Sequence, residues 1–228
     1  MQLQDVYGTL LKACGRQGWW PAHRNFRPRE WEIAAGAVLT QNTNWKNVER
    51  ALDNLEKEKM MTWTDVLNLP EKRLKEIIKP AGFYNQKAAR LKILAGFVSS
   101  FGNFENFKKN VKREDLLRLN GIGPETADSI LLYACGRPFF VVDAYTRRVF
   151  RRLGFLKGDE SYEAVRETFE RGLPKDAELY KEFHALVVEL AKRNCRKKPE
   201  CGTCPLAKQC KNSRRPRSCH AARRPCAA

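Results

Sequence analysis

Four cysteines stand close together in the chain. Cys195, Cys201, Cys204 and Cys210 fall within 16 residues. Four thiolates can close around one centre, and both a [4Fe–4S] cluster and a structural Zn2+ accept that set; spacing leaves the two open. Upstream, Leu119–Asn120–Gly121–Ile122–Gly123–Pro124 places two glycines one residue apart before a helix. Such a turn can aim backbone N–H groups at an anion, with the helix dipole adding positive potential. The candidate phosphate contacts are Gly121, Ile122, Gly123 and, in the following helix, Thr126. The same turn is also an ordinary corner between two helices. Asp143 follows the apolar run Phe139–Val142. Partial burial could hold its carboxylate in place for acid–base or electrostatic work, or the residue could simply cap the next helix. Trp19, Trp20 and Pro21 form one aromatic cluster and Trp45 another. An indole face attracts a cationic ring by cation–π stacking. Trp31 and Trp63 read as core, and His23 and His184 as ordinary hydrogen-bonding residues.

The elements that must position these groups are helical. Apolar residues recur at helical spacing around Trp31–Leu39, Val48–Leu55, Leu74–Ile78, Ala88–Val98 and Ala127–Ala134. Pro70 and Pro124 sit where helices start, and Gly82, Gly121 and Gly136 where they stop. Further helices are expected over Glu114–Leu119, from Asp143 to Leu153, over Tyr162–Arg171 and over Ala177–Arg193. The expectation is an all-α protein of roughly ten helices with no internal repeat.

Composition narrows the function classes. The chain has 228 residues and a net charge of +17, and 43% of it is apolar. That is enough to build a core and suggests a polyanionic partner. From Lys192 onward, 12 basic residues face one acid, Glu200. No apolar run is long enough to span a bilayer. The first residues lack the pattern of a secretory signal, and a secreted disulfide framework would be smaller and denser in Cys. A reducing, cytoplasmic setting is expected, with no membrane partner. The Arg- and Pro-rich residues 216–228 read as a basic, disordered tail.

The stretch LNGIGPETADSILLYACGRPFFVVDAYTRRVFRRLG resembles the helix-hairpin-helix DNA glycosylases of the endonuclease III superfamily. GAVLTQNTNWKNVERAL and GFYNQKAARL are similar to that family's earlier helices, and the four-cysteine loop is similar to its iron–sulfur loop. The family's catalytic acid lies 20 residues beyond the second hairpin glycine; Asp143 lies at that distance from Gly123. The resemblance therefore implies a two-lobed fold: a helical lobe over 27–137, and a second lobe from 1–26 and 138–215 carrying the cluster. It implies [4Fe–4S] on Cys195, Cys201, Cys204 and Cys210, with Zn2+ as the alternative, although the first cysteine interval is one residue shorter than the family's commonest version. It also implies Asp143 as the catalytic carboxylate. Members that also cut the backbone carry a Lys where this chain has Glu125, and a carboxylate cannot form the Schiff base. A monofunctional enzyme is expected unless another Lys, such as Lys87, substitutes. Gly-Trp-Trp-Pro and Trp45 resemble the 3-methyladenine DNA glycosylase III subgroup, in which aromatic residues of these segments sandwich the flipped base. Gln41 and Asn42 stand where the superfamily fills the hole left by that base. The expected function is hydrolytic removal of alkylated purines, 3-methyladenine first, from double-stranded DNA by a monomer. The rival expectations are a uracil or thymine mismatch glycosylase and a non-catalytic iron–sulfur DNA-binding module.

Overall fold

The computed structural model describes residues 2–213, so the tail at 216–228 lies outside the described residues. Among the described residues every regular element is a helix and no strand forms. The all-α expectation holds. In chain order the helices are α1 (Leu3–Cys14), α2 (Arg29–Leu39), α3 (Trp45–Lys57), α4 (Trp63–Asn68), α5 (Glu71–Ile77), α6 (Tyr84–Ser99), α7 (Phe104–Asn110), α8 (Arg113–Leu117), α9 (Pro124–Ser129), α10 (Ala144–Leu153), α11 (Tyr162–Gly172) and α12 (Ala177–Arg193). A π-helical turn, Ile130–Ala134, continues α9. These twelve exceed the ten expected. Helices α4 and α7, of 6 and 7 residues, make fewer than two turns and leave little periodic signal. Their starts are set by side-chain caps, Thr62 accepting from the Asp65 N–H and Asn103 from the Asn106 N–H. Helix α1 carries Leu3, Val6 and Leu10 on one buried face.

Helix α2 is the axis of the fold. Every residue from Trp31 to Leu39 is buried, as expected of a helix enclosed by α3, α6, α9 and the π turn. Its one buried charge, Glu32, is met by Arg24, whose Nη1 lies 2.9 Å from Oε1 and whose backbone N–H donates to Oε2 at 3.1 Å. Arg24 also pairs with Asp53 of α3 at 2.7 Å. The segment just after Trp19–Pro21 is thereby fixed to two helices. At the other end of α2, Lys87 is fully buried and donates from Nζ to the carbonyls of Leu39 (2.8 Å) and Ala81 (2.7 Å). It closes the C-terminus of α2.

Behind the hairpin, α1, α10, α11 and α12 pack together. Phe140 stacks on Phe169 at 4.2 Å, and Phe150 and Phe183 meet this pair edge-on. The two groups of helices are tied by a buried charge network. Arg113 of α8 grips Asp128 of α9 through two bonds of 2.6 and 3.1 Å and reaches Glu163 of α11 at 2.7 Å. A buried carboxylate is tolerated because both of its oxygens are bonded.

Burial first, and Arg90 second, lower the Lys87 amine from its ordinary 10.5 to about 8. Between those two values the unfolded chain holds a proton that the folded chain does not, so stability should rise with pH across this window. The gain should total about 3 kcal/mol. Urea unfolding of wild type and Lys87→Met from pH 7.5 to 10.5 should show the difference moving in favour of wild type as pH rises. A pH-independent difference would contradict this.

Candidate active site

Asp143 is delivered to its place by the run before it. Phe140, Val141 and Val142 are buried. The Phe140 N–H donates to Glu170 (3.0 Å), and the Val142 N–H lies 3.4 Å from the Tyr162 hydroxyl, which also bonds Asp128. Asp143 then caps α10, its Oδ1 accepting the Thr146 N–H at 2.7 Å. Capping and a site role are thus compatible in one side chain.

The second carboxylate oxygen faces a buried imidazole. His184 Nε2 stands 3.6 Å from Asp143 Oδ2, which is an electrostatic contact and longer than a hydrogen bond. Nε2 has no other partner. On the far side of the ring, Nδ1 lies 2.7 Å from the Tyr133 hydroxyl. The arrangement fits a ring that accepts from Tyr133 at Nδ1 and turns its N–H to Asp143. Burial alone would raise the Asp143 carboxyl; His184 and the Thr146 N–H outweigh it and hold the group below its ordinary 3.8.

Glu125 sits in the first turn of α9 and is exposed. Its carboxyl nonetheless loses some solvent and feels the charge of Asp143. Those two effects, in that order, push it up to about 7 against the opposing pull of His184 and Arg147. The two acids of this site are therefore driven apart.

The aromatic residues expected to cooperate do come together. Trp20 meets Trp45 at 5.3 Å and 84°, and Tyr133 at 5.0 Å. Trp19 reaches Tyr133 at 6.3 Å and His184 at 5.9 Å. Gly36 of α2 floors the group: a Cβ there would touch the Trp20 ring at 3.5 Å and Trp45 at 3.7 Å. Trp20 and Trp45 meet edge to face, so they form a corner and not the parallel plates of a sandwich. Pro21 follows in a turn closed by the Ala22 N–H on the Trp20 carbonyl at 2.9 Å. Trp31 is fully buried and Trp63 packs on Phe104, as core residues do.

In the hairpin, Gly121 has φ +82°, a left-handed conformation, and the Arg90 side chain lies where a Cβ would project. Ile122 is buried and its N–H donates to the Leu119 carbonyl at 3.1 Å, so it locks the turn and, against expectation, offers no free N–H to a phosphate. The N–H groups of Gly123, Glu125 and Thr126 have no acceptor among the described residues, as a phosphate site requires. The Thr126 hydroxyl, by contrast, is buried and accepts from Gln41 at 2.9 Å. Gln41 also donates to the Gly121 carbonyl at 3.0 Å and accepts from Arg90. Its amide here braces the hairpin. Asn42 is exposed, with φ +52°.

The four cysteines pack against the far end of α10. Arg152 donates to the Arg196 carbonyl (2.6 Å), the Lys197 carbonyl (3.0 Å) and Cys195 Sγ (3.2 Å), and Arg148 donates to the Cys195 carbonyl (2.7 Å). Burial pushes the Cys204 thiol up, and the Cys195, Cys210 and Cys201 sulfurs face it and add to the effect. Among the described residues no three His, Cys, Asp or Glu side chains converge as ligands of one ion. Alongside α10 runs a groove of about 710 Å³ whose cations include Arg147, Arg151, Lys157 and Lys211. Lys87 is engaged with two backbone carbonyls at the end of α2. No helix among the described residues is long and apolar enough to cross a membrane.

A carboxylate 20 residues beyond a glycine hairpin, within this helical frame, defines a class. Residues 35–175 match the HhH-GPD superfamily of base excision DNA repair proteins, and the chain belongs to that superfamily. It is 51% identical over 91% of its length to the Methanocaldococcus jannaschii protein MJ1434, named as a DNA repair glycosylase, covering 95% of it. It is 32% identical over 78% of its length to a thymine/uracil-DNA glycosylase of Pyrobaculum aerophilum, covering 77% of that protein. The structure resembles that of the 3-methyladenine DNA glycosylase (MagIII) of H. pylori bound to 1,N6-ethenoadenine, with TM-score 0.74 and 33% identity, over 85% of this chain and 98% of that one.

Sequence reasoning missed Tyr133 and His184. The spacing of Tyr133 within an apolar helix marks it as core, and His184 lies 41 residues beyond Asp143. The cue available was the single His within the buried stripe of α12. His184→Phe should leave Asp143 desolvated without its neighbour. The acid limb of the base-release profile should then move to higher pH, with duplex affinity unchanged; an unshifted limb would contradict the assigned contact.

Proposed function

We propose that this protein is a monofunctional DNA glycosylase that hydrolyses the N-glycosidic bond of alkylated purines, 3-methyladenine first, in double-stranded DNA. The observation that carries the reading is the aromatic corner of Trp19, Trp20 and Trp45. Through Tyr133 and His184 it adjoins an ionised, anchored Asp143. A cationic purine stacks on an indole face, and Asp143 faces C1′ as positive charge develops there. Pro21 shapes the turn beside Trp20. Asn42 enters the stack where the base leaves, its amide matching an orphaned partner base. The hairpin N–H groups of Gly121, Gly123 and Thr126 hold a backbone phosphate. Glu125 in place of a lysine and the engagement of Lys87 support hydrolysis without strand cleavage.

In this reading, the lobe over 27–137 meets a second lobe built from 1–26 and 138–215, and DNA lies along the seam. The enzyme acts as a monomer in the cytoplasm. Cys195, Cys201, Cys204 and Cys210 would hold a [4Fe–4S] cluster through their four thiolates. The endonuclease III-like relatives support that cluster over Zn2+, which accepts the same four thiolates. Bound there, the cluster is structural. Arg148 and Arg152 transmit the position of its loop to α10, and so to Asp143.

A second reading, release of uracil or thymine from mismatches, is supported by the identity to the Pyrobaculum enzyme. Base release from duplexes carrying 3-methyladenine, 7-methylguanine or uracil opposite guanine decides between them. The proposal expects methylpurine release, strand breaks only after alkali, and loss of about 10³-fold or more in Asp143→Asn with duplex binding retained. Uracil release alone would favour the second reading, and breaks without alkali would overturn the monofunctional assignment.

A further inference from the structure

The groove beside α10 is walled by that helix, by the loop over 154–160 and by Lys211 and Asn212 beyond the last cysteine. Six cations line it: Arg147, Arg148, Arg151, Arg152, Lys157 and Lys211. None of the six pairs with a carboxylate among the described residues. Arg24, Arg73, Arg113 and Arg166, by contrast, each face two or more acids. The one acid among the lining residues, Glu160, is spent on its own loop, accepting the N–H groups of Lys157 (2.6 Å) and Gly158 (2.8 Å). Three of the cations build the groove. Arg148 and Arg152 hold carbonyls of the cysteine segment, and Arg147 donates to the Glu160 carbonyl at 2.9 Å, tying loop to helix. The Asn212 N–H closes the far end on the Arg152 carbonyl at 3.2 Å. The other three, Arg151, Lys157 and Lys211, are exposed, and their charged ends have no partner among the described residues. Two of them lie across glycines. A Cβ on Gly158 would meet Arg151 Nε at 2.9 Å, and one on Gly154 would strike the Lys211 side chain. Both glycines are left-handed, at φ +117° and +90°.

We propose that this groove holds the phosphodiester backbone of the duplex to one side of the lesion, with Arg151, Lys157 and Lys211 as its phosphate contacts. The proposal rests on the DNA glycosylase reading above, which places Asp143 at the sugar. A helix rises about 1.5 Å per residue, so Arg147 lies about 6 Å and Arg151 about 12 Å along α10 from the Asp143 cap. The groove thus begins about one turn from that carboxylate and leads away from it. A strand gripped at the hairpin must continue past Asp143, and it carries a phosphate for about every 3.4 Å of duplex axis. The rise from Arg147 to Arg151 spans roughly two nucleotides on that scale. At about 710 Å³ the groove has room for a run of phosphates and is far too large for one ion. Cations without carboxylate partners can neutralise phosphates without first breaking an ion pair, and a guanidinium meets a phosphate with two parallel bonds. Contacts of this kind position the duplex and supply affinity through released counterions, without reading sequence.

Binding to a duplex with a central abasic analogue should be followed by fluorescence anisotropy from about 50 to about 300 mM salt, a range over which phosphate contacts are read. This readout does not depend on which base is released. Arg151→Gln, Lys157→Gln and Lys211→Gln, singly and combined, should be compared with wild type and with Lys12→Gln, which removes an exposed cation of α1 outside the groove. Each groove variant should lower the slope of log Kd against log salt by about 0.9, and the triple variant by about 2 to 3. At the lowest salt the triple variant should bind about tenfold more weakly or worse. Trimming the duplex on one flank should weaken wild type to the level of the triple variant and leave that variant nearly unchanged. Trimming the other flank should weaken both alike. A wild-type slope in the triple variant would overturn the proposal, as would an equal loss in Lys12→Gln or an equal response of both proteins to each trimmed flank. Tripolyphosphate binding that the triple variant loses while keeping its duplex slope would assign the groove to free anions and overturn it too. No duplex binding by wild type would sink the DNA reading itself, and this occupant with it.

Discussion

The site depends on keeping one desolvated carboxylate charged. Asp143 follows the buried Phe140–Val142 run and is itself desolvated, which favours the neutral acid. Two groups reverse that tendency: the Thr146 N–H at the start of α10 and the His184 imidazole on α12. Both must be fixed for the carboxylate to remain an anion. Much of the surrounding structure does this fixing. Tyr133 holds the far nitrogen of His184. Glu170 and Tyr162 hold the backbone before Asp143. Arg148 and Arg152 tie the body of α10 to the cysteine loop.

The hairpin is linked to the same centre. Asp128, one turn along α9 from Glu125, is gripped by Arg113 and bonded by Tyr162, whose hydroxyl also meets the Val142 N–H. A phosphate held at the hairpin N–H groups and a sugar held at Asp143 would therefore be positioned by one connected set of bonds. Gln41 adds a brace from α2, whose buried length also floors the aromatic corner at Gly36. In the function proposed above, the phosphate grip, the base corner and the carboxylate would share one frame, as a site that must hold a flipped nucleotide in register requires.

Local patterns were readable in the sequence where local chemistry decides the structure. The glycine hairpin needs a left-handed residue and a buried Ile122, and both lie within four positions. Asp143 announces itself as a cap after an apolar run. The helical class follows from apolar spacing. What escaped was decided by tertiary contact. Tyr133 and His184 lie on apolar helix faces, where polarity reads as an ordinary core hydrogen bond. Gln41 sits at a helix end like a free side chain, and only the fold brings Gly121 and Thr126 to it, 80 and 85 residues away. The edge-to-face meeting of Trp20 and Trp45 is likewise set by Gly36 and Tyr133, which no spacing rule connects. Helices α4 and α7 are too short to show a period.

Titration of the carboxyl carbons by 13C NMR, with Asp143 and Glu125 assigned from their amide variants, tests the central claim directly. The account predicts that Asp143 titrates below its ordinary 3.8 and Glu125 near 7. Both groups titrating at ordinary carboxylate values, or Asp143 holding its proton above Glu125, would contradict it.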